Sequence, residues 1–157
     1  MGKSGRNGET GAMTTIEFKD YSAECKEEIE SRVLKALTMC GMVIERAAKG
    51  LATVDTGLLR NSITWALAGK KPTAETYKAD KQKNGVIQTG KYSSAAPNDD
   101  ELSVFVGTNV EYAPYVELGT AKQKAKPFLK PAAMNSKSAL SQCFQEQGFQ
   151  RKDKFVD

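Results

Sequence analysis

The residues of this 157-residue chain that could do chemistry form no catalytic constellation. The chain contains no histidine, so neither a Ser-His-Asp nor a Cys-His arrangement can be built from it. Its cysteines, Cys25, Cys40 and Cys143, are widely spaced and form no CxxC pair. A zinc site would need ligands that such a chain hardly has. Cys40 falls among apolar residues at helical spacing and reads as a small core residue, and three dispersed thiols fit a reducing compartment. Phosphate chemistry lacks its frame as well. Neither GxxxxGK[ST] nor GxGxxG occurs, and Gly90-Lys91 is followed by Tyr92 rather than by Ser or Thr. Asp99-Asp100-Glu101 sets adjacent acids in a polar stretch, the usual make-up of a solvated turn rather than of an acid–base pair. The sequence therefore predicts no catalytic residue, no cofactor and no metal, and a protein that is not an enzyme.

Charge is the other resource. The formal net charge is +4, well short of a dedicated nucleic-acid binder. Lys70, Lys71, Lys78, Lys81, Lys83 and Lys91 nevertheless share one stretch with only Glu75 and Asp80. These six are the candidates for facing DNA or for forming a reaching arm. The simpler reading is a solvated loop. No apolar run is long enough to cross a bilayer. Residues 1–10 are Gly-rich and polar, with no apolar stretch of the kind a signal peptide carries, so synthesis in the cytoplasm is the expectation.

Periodicity supplies the elements that must position these groups. Ile29, Val33, Ala36, Leu37, Cys40, Val43, Ile44, Ala47, Ala48 and Leu51 recur at three- and four-residue steps and predict a helix over about 22–51. Asp20 or Ser22 is its cap, and Gly41 inside it either weakens it or admits a close neighbour. Asp55, Thr56 and Gly57 are turn formers leading into a short helical turn through Arg60. Ile63, Trp65 and Leu67 alternate with Thr64 and Ala66, a strand pattern, as do Leu102, Val104 and Val106 with Ser103 and Phe105. Glu111 to Leu118 reads as a short helix with Pro114 in its first turn and Gly119 at its end. Pro127 opens a second main helix carrying Phe128, Leu129, Ala132, Ala133, Leu140 and Phe144, with Pro131 either tolerated near its start or separating a Pro-led turn from the helix proper. Residues 69–100 show weak periodicity, apart from a short strand at Val86-Ile87, and predict a long basic loop or arm, mobile in the free subunit. The organisation expected is a flexible N-terminal arm (1–14), one domain (15–145) and a polar C-terminal tail (146–157). The fold class expected is α+β: a long N-terminal helix and a C-terminal helix packed on a small, mostly antiparallel sheet.

Three islands of specific texture stand out: Val54-Asp55-Thr56-Gly57-Leu58-Leu59-Arg60-Asn61-Ser62-Ile63, then Val106 to Thr120 with its Tyr112-Ala113-Pro114-Tyr115-Val116-Glu117-Leu118-Gly119-Thr120, then Lys126-Pro127-Phe128-Leu129-Lys130-Pro131-Ala132. In these residues, their order and their spacing, the chain resembles the HK97 gp10-like family of phage tail components, over roughly Thr15 to Phe144. The stretch 69–100 and the last dozen residues fall outside the resemblance. The resemblance implies a structural subunit of the phage neck or upper tail, present in the virion and, during assembly, in the host cytoplasm. Copies would form a homo-oligomeric ring, a hexamer or a dodecamer, that joins head to tail and lets DNA pass. Its neighbours would be head-completion and tail-terminator proteins, with non-specific contact to lumenal DNA and no membrane. The alternative is a DNA-binding regulatory protein using residues 70–91, for which neither a helix-turn-helix nor a larger basic excess is visible.

The islands also have a physical reading. Glu117, set between Val116 and Leu118, needs a partner, and Arg60 is the one expected. Asp55, Gly57, Gly107, Gly119 and Pro127 read as fold determinants. For Tyr112, Tyr115, Phe128 and Lys130, contact with a neighbouring subunit stands beside core packing. The interface candidates are therefore Arg60, Tyr112, Tyr115, Glu117, Phe128 and Lys130.

Overall fold

The computed structural model of the protein describes residues 20–72, 74–92, 94–97 and 102–150. The expected N-terminal arm and the last part of the expected tail lie outside them. Helix α1 spans Ser22–Leu51, as its apolar spacing predicts. The Ser22 N–H donates to Asp20 Oδ1 at 2.9 Å, so Asp20 rather than Ser22 supplies the side chain at its start. Lys26–Glu30, Arg32–Glu28 and Lys49–Glu45 pair one turn apart along its outer surface. Residues 21–29 are all exposed, and full burial begins only at Ala36. The helix thus overhangs the rest of the molecule at its N-terminal end. Beyond the overhang its buried residues are small, Ala36, Cys40, Gly41 and Ala48, which lets other elements approach closely.

Strand β1 (Thr64–Leu67) pairs antiparallel with a partner strand at Val104–Gly107, with Trp65 opposite Val106 and Leu67 opposite Val104. Both strands form where they were predicted, but burial does not alternate along them: in β1 the buried residue is Ala66, on the face opposite Trp65 and Leu67, and every residue of Val104–Gly107 is half-buried. Their apolar face meets α1, where the Trp65 indole lies over Gly41. A Cβ on Gly41 would sit 2.8 Å from that ring, so of the two roles expected for Gly41 the structure selects close approach.

The stretch 69–100 departs from expectation. It is not a structureless arm. It carries β2 (Thr76–Lys78) and β3 (Thr89–Lys91), which form a second two-stranded antiparallel sheet; the Val104–Gly107 strand is therefore β4. Val86 makes only a single bridge with Lys83. The cause is the Asn84-Gly85 turn. Both residues have positive φ, 53° and 79°, the pattern of a type I′ turn, whose twist matches a hairpin. Tyr77 and Gly90 face inward with the Tyr77 ring over Gly90, an aromatic filling the space a glycine leaves in a strand. Thr76, Lys78, Thr89 and Lys91 face solvent. In hydrogen exchange the Ala79 and Tyr92 amides, which donate to Gln88 O and Glu75 O, are expected to exchange well behind those of Gln82 and Asn84 at the hairpin tip. Uniformly fast exchange across 70–94 would restore the arm reading.

The C-terminal part holds α3 (Ala113–Leu118), α4 (Leu129–Asn135) and α5 (Lys137–Glu146). The single helix expected from Pro127 through Phe144 is therefore two, broken at buried Ser136. The break falls at Asn135-Ser136, residues whose side chains compete for backbone hydrogen bonds and so favour helix ends. It lets both helices pack along α1. After α5 the chain turns back, and Phe149 sets its ring edge-on to Phe144 at 6.1 Å. The core gathers Ala48, Ala52, Leu59, Ile63, Val110, Ala113, Phe128 and Ala132, drawn from α1, all three islands and the segments between them. No helix among the described residues is long and apolar enough to cross a membrane.

Candidate functional site

The first island is a hub for the hairpin. Gly57 has φ +86°, a conformation that favours glycine, and a Cβ there would lie 2.8 Å from the Asp80 Cγ. That close approach sets the Asp80 carboxylate beside α2 (Leu58–Ser62). Arg60 Nη2 donates to Asp80 Oδ2 at 2.6 Å. Asn61 Nδ2 donates to Asp80 Oδ1 at 2.9 Å and to Lys78 O at 2.8 Å. The Asp80 and Lys81 amides donate back to Thr56 O at 2.8 and 3.1 Å. Both charged side chains are about two-fifths exposed (40% and 45%), so the ion pair itself is worth under about 1 kcal/mol. The backbone ties set the hairpin in place.

The Arg60–Glu117 pair expected from sequence does not form within the chain, because each residue has a different set of partners. Glu117 Oε2 accepts the Phe128 and Leu129 amides at 2.7 and 3.0 Å, and Oε1 accepts the Lys130 amide at 3.0 Å. These are the leading N–H groups of α4, which no intrahelical carbonyl can satisfy. The next residue, Pro131, has no N–H to satisfy. The second island therefore caps the third with a carboxylate on a helix N-terminus. Desolvation pushes the Glu117 carboxyl up, but the three amide donors and the nearby Lys130 ammonium outweigh it and hold it below its ordinary value.

Between these islands the chain makes a tight basic loop. Gly119 has φ +77°, and a Cβ on it would lie 2.7 Å from the Ala125 nitrogen. The Lys126 amide donates to Val116 O at 2.8 Å, and Thr120 Oγ1 accepts the Lys122 and Gln123 amides. Lys122, Lys124 and Lys126 all stand exposed on it.

A cleft of about 430 Å³ opens where the islands meet, lined in part by Asp55, Leu58, Lys83, Tyr112, Tyr115 and Lys126. Of the interface candidates, Tyr115 is 60% exposed and Tyr112 is also exposed. Lys130 is exposed as well. Burial, and then the Asp55 carboxylate, raise the Tyr112 phenol above its ordinary value. Phe128 requires correction: it is fully buried, at 0% exposure, because the Glu117 cap turns the start of α4 inward. It packs in the core and offers no surface.

Sequence reasoning passed over a second polar cluster behind β1. Tyr92 Oη donates to Ser62 O at 2.6 Å, Ser62 Oγ donates to Leu59 O at 2.7 Å, and Ser62 Oγ meets Thr108 Oγ1 at 2.5 Å. Burial, then the Tyr77 phenol and Glu45, push the Tyr92 hydroxyl up to about 12 against a hydrogen bond with Thr64. It therefore stays protonated, as its donor role requires. With Asp80 and Asn61, these are the residues that fasten the hairpin. A signal for them existed in the Asn-Gly turn and in Asp80, one of only two acids among the lysines.

The basic residues of 70–91 are all exposed but are spread over several elements. Lys70 and Lys71 follow β1, Lys78 and Lys91 share the outer face of the hairpin, and Lys83 lies 3.8 Å from the Asp55 carboxylate. Among the described residues no group of His, Cys, Asp and Glu is placed to hold a metal ion.

The model of the family described as "Bacteriophage HK97-gp10, putative tail-component" matches residues 16–119. No curated protein and no solved structure matches the chain.

Proposed function

The chain belongs to the HK97-gp10-like family of bacteriophage tail components, and from that premise we propose that it is a structural subunit of the neck or upper tail that joins head to tail. In this reading it acts by assembly, without chemistry. Copies close into a hexameric or dodecameric ring, the ring docks on head-completion and tail-terminator proteins, and DNA passes through its lumen. The protein resides in the virion and, before incorporation, in the host cytoplasm.

The observation that carries the reading is the surface where the islands converge. Glu117, Gly57 and Gly119 fix that region tightly, yet it presents Tyr112, Tyr115 and Leu118 to solvent, the last at 79% exposure. Large apolar and aromatic side chains held rigidly at a cleft mark a contact surface. The Lys78 and Lys91 face of the hairpin is the basic surface suited to non-specific contact with lumenal DNA.

Removal of the protein from its phage is expected to leave DNA-filled heads and separate tails, or tails that fail to attach stably, when lysates are viewed by electron microscopy. Joined, infectious particles at normal yield without it would overturn the joining role.

A further inference from the structure

A closed ring needs two different complementary patches on each subunit, and the chain carries two exposed surfaces of opposite character. One is the cleft rim, with Tyr115 and Leu118 exposed. Its adjoining loop from Gly119 to Pro131 holds Lys122, Lys124, Lys126 and Lys130 and no acidic residue. The other is the overhang of α1. From Asp20 to Arg32 it holds five carboxylates against two cations, and it spans roughly 20 Å at the rise of an α-helix. Tyr21, Cys25 and Ile29 follow at four-residue steps and so share one stripe. All are exposed, Ile29 at 53%, with Glu24 and Glu28 beside them.

We propose that these two surfaces are the halves of one subunit contact: the acidic α1 overhang of one copy seats its Tyr21-Cys25-Ile29 stripe in the island cleft of the next copy, against Lys122, Lys124 and Lys126. The inference rests on the ring reading and deepens it by naming the contact. Each half is otherwise unexplained. The overhang extends a helix past its own core with an apolar stripe in solvent, and among the described residues neither Glu24 nor Glu27 nor any of Lys122, Lys124 and Lys126 has an ion-pair partner. A cleft of about 430 Å³ is in the size range that receives an inserted group. The charges are opposite, so they steer the two faces together and disfavour cleft-to-cleft pairing. The contact is head-to-tail, because each copy donates a helix on one side and a cleft on the other.

Cys25 is the one exposed thiol of the three and lies on the stripe, which makes it a reporter. Isotopically light and heavy protein would be mixed across micromolar to millimolar concentration. The oligomeric state would be read by sedimentation, and the mixture would be treated with a short thiol-to-amine cross-linker for mass spectrometry. Oligomers whose mixed-isotope links join Cys25 to Lys122, Lys124 or Lys126 are expected. The Glu24→Lys, Glu27→Lys, Glu28→Lys variant, shown to be folded, is expected to weaken self-association at least tenfold at low salt, on the scale of several opposed charges. Mixing it with the Lys122→Glu, Lys124→Glu, Lys126→Glu variant is expected to restore association. Oligomers whose mixed-isotope links lie elsewhere, or that ignore the reversals, would overturn the contact and leave the ring reading standing. A chain that stays monomeric throughout would overturn both.

Discussion

Glu117→Ala is expected to lower the stability of the protein by about 3 kcal/mol, since it strips the cap from α4 and leaves amides at Phe128, Leu129 and Lys130 without their acceptor. At this chain length the melting midpoint should fall by roughly 10 °C. The loss should also depend on pH in one direction. The folded carboxyl is held below its ordinary value, so its stabilisation is fully present above the unfolded carboxyl's pKa of about 4.3. It is lost as pH falls through the lower, folded value. The gap between wild type and Glu117→Gln, which offers one acceptor oxygen in place of two, should therefore be widest near neutrality and shrink in acid. Thermal melts at a series of pH values check this. Equal melting of wild type and Glu117→Ala at pH 7 would show that the cap contributes nothing, and a gap that widened in acid would reverse the assigned sign.

The same residue shows how far the sequence could be read. That Glu117 needed a partner was visible from Val116 and Leu118 on either side; that the partner would be a row of backbone amides was not. Side-chain chemistry suggests an arginine, whereas unsatisfied N–H groups at a helix start exist only once the start of α4 is located in space. The long helix was legible because its periodicity is local and sustained over many turns, and the strands at Ile63–Leu67 and Val104–Val106 because β-branched and aromatic residues mark them, although burial along them does not alternate. The hairpin of residues 76–91 was obscured because its strands are three residues long and its outer face is lysine and threonine. Composition there says loop, while the Asn84-Gly85 pair says turn, and the turn decides. Phe128 was ambiguous for a different reason. An aromatic after a proline marks a helix entry in either setting, and only the direction of that entry separates core from surface.

The convergence of the islands also explains their joint occurrence in one chain. Asp55-Thr56-Gly57 fastens the hairpin, Glu117 fixes α4, and the Gly119 turn folds the lysine loop onto α3. The first and third of these orient walls of the cleft, which Lys83, Gln88, Gln123 and Lys126 help to line, and the Glu117 cap holds the helix that follows the lysine loop. A change in any one island therefore shifts a surface that the other two help to build.

That separation of scaffold from surface gives the second large effect. Phe128→Ala is expected to cost about 4 kcal/mol, because a fully buried phenyl ring leaves a cavity among Ala48, Leu59, Ile63 and Ala132. Tyr115→Ala, at a residue 60% exposed, should leave stability within about 0.5 kcal/mol of wild type. It should nevertheless weaken assembly by on the order of 2 kcal/mol per contact if the tyrosine anchors the interface, roughly thirtyfold in affinity, repeated at every contact around a ring. The two variants thus fail in opposite assays. Denaturant unfolding should single out Phe128→Ala, and incorporation into particles, measured on protein shown to be folded by circular dichroism, should single out Tyr115→Ala. An unfolding midpoint unchanged in Phe128→Ala would remove that residue from the core. Tyr115→Ala that assembled like wild type would remove the cleft rim from the interface and shift attention to the outer face of the hairpin, where Lys78 and Lys91 stand.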